Sequence, residues 1–318
     1  MRAILLRRLA VIPLILFLVS VLVFCLAEVV PGDIGSTMLG PYATEEQVES
    51  LKEELGYDRP LVVRYLDFAG GFVTGDWGDS YALDVPIRPL VTERAWNSIL
   101  LGFYAFLLMA PIAIFGGVVA ALREGRKTDR AITVGGLSLS ATPEFVTGVI
   151  LLIIFAVRLD WFPVTSSVSD ASSAVDRLRA MTLPAVSLAL VSFGYVSRTA
   201  RAGTITSLQS NYVRTAVIKG VPRRRLLFRH VLRNSMLPTI TVLGTQLGYL
   251  LGGLVVAETL FNYPGLGKLL LDAANNHDVP LLEVTTLVSA VLYMSCILVT
   301  DLVYGVIDPR IRHGSALA

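Results

Sequence analysis

The 318 residues are 54% hydrophobic and only 16% charged, with a net charge of +2 and a mean hydropathy of +0.66. Soluble domains carry roughly 25% charged residues, so the composition excludes an ordinary water-soluble chain, and the near-neutral balance gives no reason to expect a nucleic-acid partner. Cys25 and Cys296 lie inside apolar runs and His230, His277 and His313 are far apart, which argues against a disulfide framework or a metal centre.

In chain order, Arg2, Arg7 and Arg8 precede an apolar run over 9–30 that ends in AEVVPGD without a small-residue cleavage site. Its length suits a retained first helix better than a cleaved signal peptide. Five further runs follow at 97–122, 131–157, 182–205, 235–260 and 282–306. Each provides about the 20 residues that a bilayer crossing needs, so the expected fold is all-α, integral to the membrane, with six transmembrane helices. Between the first two runs, the segment 31–96 is the largest piece outside the spans. It predicts a short helix over 44–55, with Thr44 as N-cap and Glu45 and Glu46 in the first turn. The Gly-rich stretch 70–80 (GGFVTGDWGDS) reads as a loop on the membrane surface, with Trp77 at the interface.

Eighteen of the 27 basic residues fall on one side of the six spans, in the first turn, the REGRKTDR loop after the second span, the loop after the fourth, and the tail. Positive charge gathers on the cytoplasmic side, so both termini are expected inside, with 1–30 as N-terminus and first span, 31–96 extracytoplasmic, 97–307 a membrane core and 308–318 a cytoplasmic tail.

Reactive chemistry is hard to find. A phosphate-cradling loop requires G-x-x-x-x-G-K-[ST]. The nearest text surrounds Gly267-Lys268, where Asn262 replaces the first glycine and Leu269 the hydroxyl. GLSLS at 136–140 lacks the closing glycine of a nucleophile elbow. Ionisable residues inside spans are functional candidates: Glu144, after Pro143 in the third span, and Glu258, near the outer end of the fifth, are the candidate channel-lining groups. Glu144 either faces a water-filled lumen and contacts a cationic substrate group, or pairs with an arginine or caps exposed amides inside the bundle. Glu28 and Asp301 also lie within spans. The glycines at 244–253 have the helical spacing that lets helices approach closely in lipid.

The most informative segment is 211–238, NYVRTAVIKGVPRRRLLFRHVLRNSMLP, which contains no acidic residue. It reads as a short helix over 212–219, a turn at Gly220-Val221-Pro222 and a second helix over 223–234. Charge bias or attraction to anionic lipid alone would not need such a turn, whereas a projecting short helix suits a partner's groove. The segment resembles the coupling loop of binding-protein-dependent ABC permeases, whose motif is Glu-Ala-Ala, three residues, then Gly. Arg214, Thr215, Ala216 and Gly220 stand at those positions, so Arg214 replaces the acid and only the second alanine is kept. Leu237-Pro238 closes the motif several residues late, as in the dipeptide/oligopeptide branch. LGYDRPLVVRYLDF, GDWGDS, SATPEF, WFPVT, GGLVVAETLFNYPGLGKLL and DLVYGVIDPRIR are similar to that branch too, in order along nearly the whole chain.

The resemblance implies a type I ABC importer permease fold in a bacterial or archaeal inner membrane, without catalysis or cofactor of its own. It implies four kinds of partner: a second related permease, two cytoplasmic ATP-binding subunits that hold ATP and magnesium, an extracytoplasmic substrate-binding protein, and the lipid bilayer. Force would pass through the loop 207–234, with Tyr212, Arg214, Thr215, Ala216, Lys219 and Gly220 as coupling residues, Ala216 lying against the ATPase groove. The cargo would be a peptide or, as elsewhere in the branch, glutathione, a nickel chelate, an opine or a sugar. A stand-alone secondary transporter would need internal repeats and its own ion site, and neither is visible in the sequence.

Overall fold

The computed structural model describes residues 2–29, 44–54, 57–166, 173–252 and 254–307. Among them the only β contact is one isolated bridge between Asp79 and Pro86; the regular structure is helical. The helices are α1 (Arg2–Val29), α2 (Glu45–Glu54), α3 (Leu61–Thr74), α4 (Ile87–Leu122), α5 (Lys127–Ala141), α6 (Glu144–Leu151), α7 (Ala174–Leu208), α8 (Asn211–Ile218), α9 (Leu232–Gly252), α10 (Leu254–Leu260), α11 (Leu266–Asn275) and α12 (Val279–Ile307).

Windows in α1, α4, α7 and α12 are long and apolar enough to cross a membrane unbroken. The two remaining expected spans are bent pairs. Lys127–Ala141 and Glu144–Arg158 meet at 107°, and Arg223–Leu250 and Leu254–Leu260 at 51°. The sharper bend has a local cause. The ring of Pro143 excludes the α region for the residue before it, and Thr142 is extended, with φ −80° and ψ 131°. Beyond α6 the chain widens into π turns over Leu152–Arg158, closed by the Leu159 N–H to the Ile154 carbonyl at 3.0 Å.

The chain divides into two compact units. The first comprises Met1, Ile99–Tyr263 and Ser295–Ala318. Its centre is α7, packed on α5 and α9. Helices come close because small residues line the contacts. A methyl group at Gly194 of α7 would overlap the carbonyl oxygen of Gly136 on α5. Arg201 of α7 ties down the start of α5: its Nε and Nη2 donate to Oδ1 and Oδ2 of Asp129 at 2.6 and 2.8 Å. Asp129 also accepts from the Gly125 N–H at 2.9 Å, which holds the preceding turn. Gly244, singled out for its spacing, meets Thr300 of α12, whose hydroxyl donates to the Gly244 carbonyl at 3.0 Å.

The second unit comprises Arg2–Ser98 and Pro264–Met294. The stretch 264–294, assigned by sequence to the membrane core 97–307, thus packs with 2–98. Ile87, Val91, Leu266, Leu269, Leu281 and Val284 are buried together, with Phe68, Phe72 and Trp77 against them. Ser98 accepts the Leu266 N–H at 2.7 Å and so caps the first turn of α11. Asp278, fully buried, caps α12 through the Leu281 N–H at 3.2 Å. Its other oxygen receives the Ser80 hydroxyl and, at 3.0 Å, the Ala82 N–H.

The helix expected over 44–55 is α2, where Thr44 and Gln47 cap each other reciprocally: the Thr44 N–H donates to Gln47 Oε1 at 3.0 Å, and the Gln47 N–H to Thr44 Oγ1 at 3.3 Å. The loop expected over 70–80 needs correction. Helix α3 continues through Gly70 and Gly71 to Thr74, and the loop begins at Gly75 (φ +82°). Phe68 and Phe72 recur at helical spacing in that stretch and are packed into the unit's core, which outweighs the low propensity of the two glycines. Trp77 stacks on Phe72, and its indole N–H donates to the Phe72 carbonyl at 3.1 Å.

Candidate functional site

Helix α8 displaces the expected short helix by one residue, starting at Asn211 and ending at Ile218. Its C-terminus explains the glycine. Gly220 has φ +73°, a left-handed conformation that L side chains resist. Two hydrogen bonds close the cap, Gly220 N–H to the Val217 carbonyl at 2.9 Å and Val221 N–H to the Ala216 carbonyl at 3.1 Å. Val221 packs on the cluster formed by Val213, Ala216, Leu226 and Val231, and Pro222 then prevents the helix from resuming. The second helix of the loop is regular only over Arg223–Arg225, widens into π turns over Leu226–Val231, and continues as α9.

The cluster divides the sequence-predicted residues. Ala216, expected against a partner's groove, is 8% exposed and belongs to the loop's own small core. Val213 and Ala216 are three residues apart and share the inward face of α8, as one helical turn dictates. Thr215 is exposed, but its hydroxyl donates to the Asn211 carbonyl at 3.0 Å. Tyr212 is half exposed, and its hydroxyl meets Ser207, Ser210 and Asn234, joining the end of α7 to the start of α9. Arg214 and Lys219 are exposed and form no ion pair among the described residues. The outward surface also includes Val217 at 57%, Ile218 at 80% and Phe228 at 63% exposure. These three apolar positions escaped the sequence reading, which followed charge; apolar residues on a projecting basic helix were the available signal.

The intramembrane acids separate as well. Glu144 opens α6 directly after the bend. Its carboxylate meets the backbone of Ala257, the fourth residue of α10. Its Oε1 is buried without a hydrogen-bond partner. Glu258, expected on the channel, has no exposed surface and lies in the interior beside Tyr263. It does not line an open lumen here. Within the sixth span the side chain of Asp301 lies outside the described residues, as do Glu28 in the first and the tail arginines Arg310 and Arg312.

Comparison with known proteins places the chain in a family. Residues 113–313 match the model of the binding-protein-dependent transport system inner membrane component, and residues 1–86 match the N-terminal model of the same membrane component. A protein of Sinorhizobium fredii named as a probable peptide ABC transporter permease is 34% identical over 97% of this chain and 98% of its own. The Bacillus subtilis oligopeptide transport system permease AppB is 35% identical over 96% and 98%. The Escherichia coli glutathione transport system permease GsiC is 33% identical over 96% and 97%. A solved amino acid ABC transporter with histidines aligns over 70% of this chain and 94% of its own at 15% identity, with a TM-score of 0.49. The chain belongs to the binding-protein-dependent inner-membrane permease family and is a multi-pass membrane permease component of an ABC importer.

Proposed function

We propose that this permease forms half of a translocation channel with a second, related permease, and that the loop 207–234 couples the channel to two cytoplasmic ATPases. The carrying observation is the closed cap of α8. Gly220, Val221 and the buried Val213–Ala216 cluster make the short helix one rigid piece with the start of α9, so a push on α8 reaches the fifth span without being lost in a flexible hinge. Val217 and Ile218 provide its apolar contact surface, and Arg214 and Lys219 flank it with positive charge. Gly220 sets the helix end and Ala216 fills the core beneath.

In this reading both termini and the basic loops are cytoplasmic, the segment 31–96 meets a substrate-binding protein on the other side of the inner membrane, and ATP with magnesium binds only to the partner subunits. The chain carries out no catalysis. ATP-driven closure of the ATPases moves α8, the spans rock, and the channel alternates between the binding protein and the cytoplasm. The cargo is a peptide, by the names of most relatives; glutathione follows from another, and nickel chelates, opines and sugars remain within the branch. Glu144 meets a cationic group of the cargo when its contact with Ala257 opens.

In proteoliposomes holding the full transporter, Gly220→Val is expected to leave membrane insertion and ATP hydrolysis in place while uptake falls at least tenfold. Normal uptake by this variant would overturn the coupling assignment.

A further inference from the structure

Helix α3 is built differently from its neighbours. In α11 the apolar residues Leu266, Leu269 and Ala273 are buried, whereas α3 contains no buried residue at all. Its 14 residues present three faces. Tyr65, Phe68 and Phe72 pack inward, with the Tyr65 hydroxyl on Ser20 of α1 at 2.8 Å and the Phe68 ring stacked on Phe24. Arg64 and Asp67 form a charged face, Arg64 lying 4.0 Å over the ring of Tyr57 and Asp67 3.4 Å from Arg59. The third face is an unbroken apolar stripe at helical spacing: Val62, Leu66, Gly70 and Val73, the three side chains 69%, 62% and 85% exposed.

The depth of the stripe follows from α1. The apolar window of α1 runs over Ala10–Ala27, and Phe24 lies three residues, about 4.5 Å, from its end. A helix resting on Phe24, with Tyr65 reaching inward to Ser20 and Phe17, sits where hydrocarbon meets headgroups. On the opposite face of α1, Leu18, Leu22 and Leu26 are exposed as well, as expected of an apolar span that lipid surrounds. An amphipathic helix with a pure apolar face and a charged opposite face lies in the interface plane. A docking face for a transient protein partner carries polar groups among its apolar ones, and this stripe has none.

We propose that α3 is an in-plane membrane helix, its Val62–Leu66–Val73 stripe bedded in phospholipid acyl chains of the leaflet bordering the 31–96 segment, and Arg64 and Asp67 turned to the headgroups. The helix anchors the second unit at a set depth. The assignment stands apart from the coupling reading, since it needs neither ATP nor cargo.

The test uses the full transporter in phosphatidylethanolamine/phosphatidylglycerol vesicles, with Cys25→Ala and Cys296→Ala as background and nitroxides at Val62→Cys, Leu66→Cys, Val73→Cys and Asp67→Cys. Oxygen, which partitions into acyl chains, should broaden the three stripe labels several-fold more than a water-soluble nickel chelate, with the order reversed at Asp67→Cys. Nickel access at Leu66→Cys equal to that at Asp67→Cys would overturn the proposal, as would exclusion of both reagents, which would mean that protein covers the stripe. A photoactivatable phospholipid added to the unlabelled transporter offers a second measurement that needs no substitution. Cross-links within 62–73 support the assignment, and cross-links on α1 without any on α3 reject it.

Discussion

At the scale of single residues, Gly220 is a backbone requirement and not a contact. Nothing lies within 4 Å of where its Cβ would stand, so a substitution acts only through the positive φ. The left-handed region costs roughly 1–2 kcal/mol for an ordinary L residue and less for asparagine. Gly220→Asn is accordingly expected to keep most of the uptake that Gly220→Val loses, measured side by side in proteoliposomes. Equal losses in both would show that the backbone conformation is not the cause. The pair Arg201–Asp129 works by enclosure: Asp129 is 5% exposed, and a buried carboxylate left unpaired is costly. Arg201→Met should destabilise the first unit by about 3 kcal/mol, seen as a lower midpoint of thermal unfolding in detergent. Replacing both partners, Arg201→Met with Asp129→Leu, should recover part of that loss.

At the scale of elements, the spans are held by closeness as much as by area. Lipid tails are as apolar as leucine, so helix pairing inside a bilayer depends on packing. Gly194 against Gly136 is the tightest of these contacts between α5 and α7. Gly194→Leu would force the two helices apart and is expected to lower the amount of folded protein in the membrane sharply. Gly135, one residue before Gly136, has open space at its Cβ position, and Gly135→Ala should leave that amount unchanged; immunoblots of membrane fractions compare the two. The bend between α5 and α6 was legible in part. Pro143 announced a break, because a proline excludes the α region for the residue before it. The 107° angle depends on what the two halves pack against, α7 for both and α10 for the second, and no local signal encodes it. The same holds for α3, where two glycines suggested a loop until Phe68 and Phe72 found a core.

At the scale of the whole molecule, long-range contacts decide the make-up of the second unit. Ser80 and Asp278 are 198 residues apart in sequence, Ser98 and Leu266 168. Asp278→Ala removes a helix cap, worth about 1 kcal/mol, and leaves the Ser80 hydroxyl and the Ala82 N–H without their acceptor. The segment 75–86 should then be cut faster in limited proteolysis of the purified permease, while insertion of the spans is unaffected; an unchanged cleavage rate would show that Asp278 does not hold it.

By itself the sequence determined the solvent, the helical class, six apolar runs, the acid-free loop and the family. Each of these is written in local composition, in spacing, or in motifs that keep their order along the chain. Tertiary structure alone decided that Ala216 faces inward while Val217 and Ile218 face out, that Glu258 is enclosed, that Glu144 meets Ala257, and that 264–294 packs with 2–98. The physical reason is common to all four. Which face of a helix is buried, and which polar group is satisfied by which, depends on neighbours brought close by the fold from elsewhere in the chain. A period of 3.6 residues defines the faces of α8 but does not choose among them; Leu226 and Val231, beyond the glycine turn, make that choice.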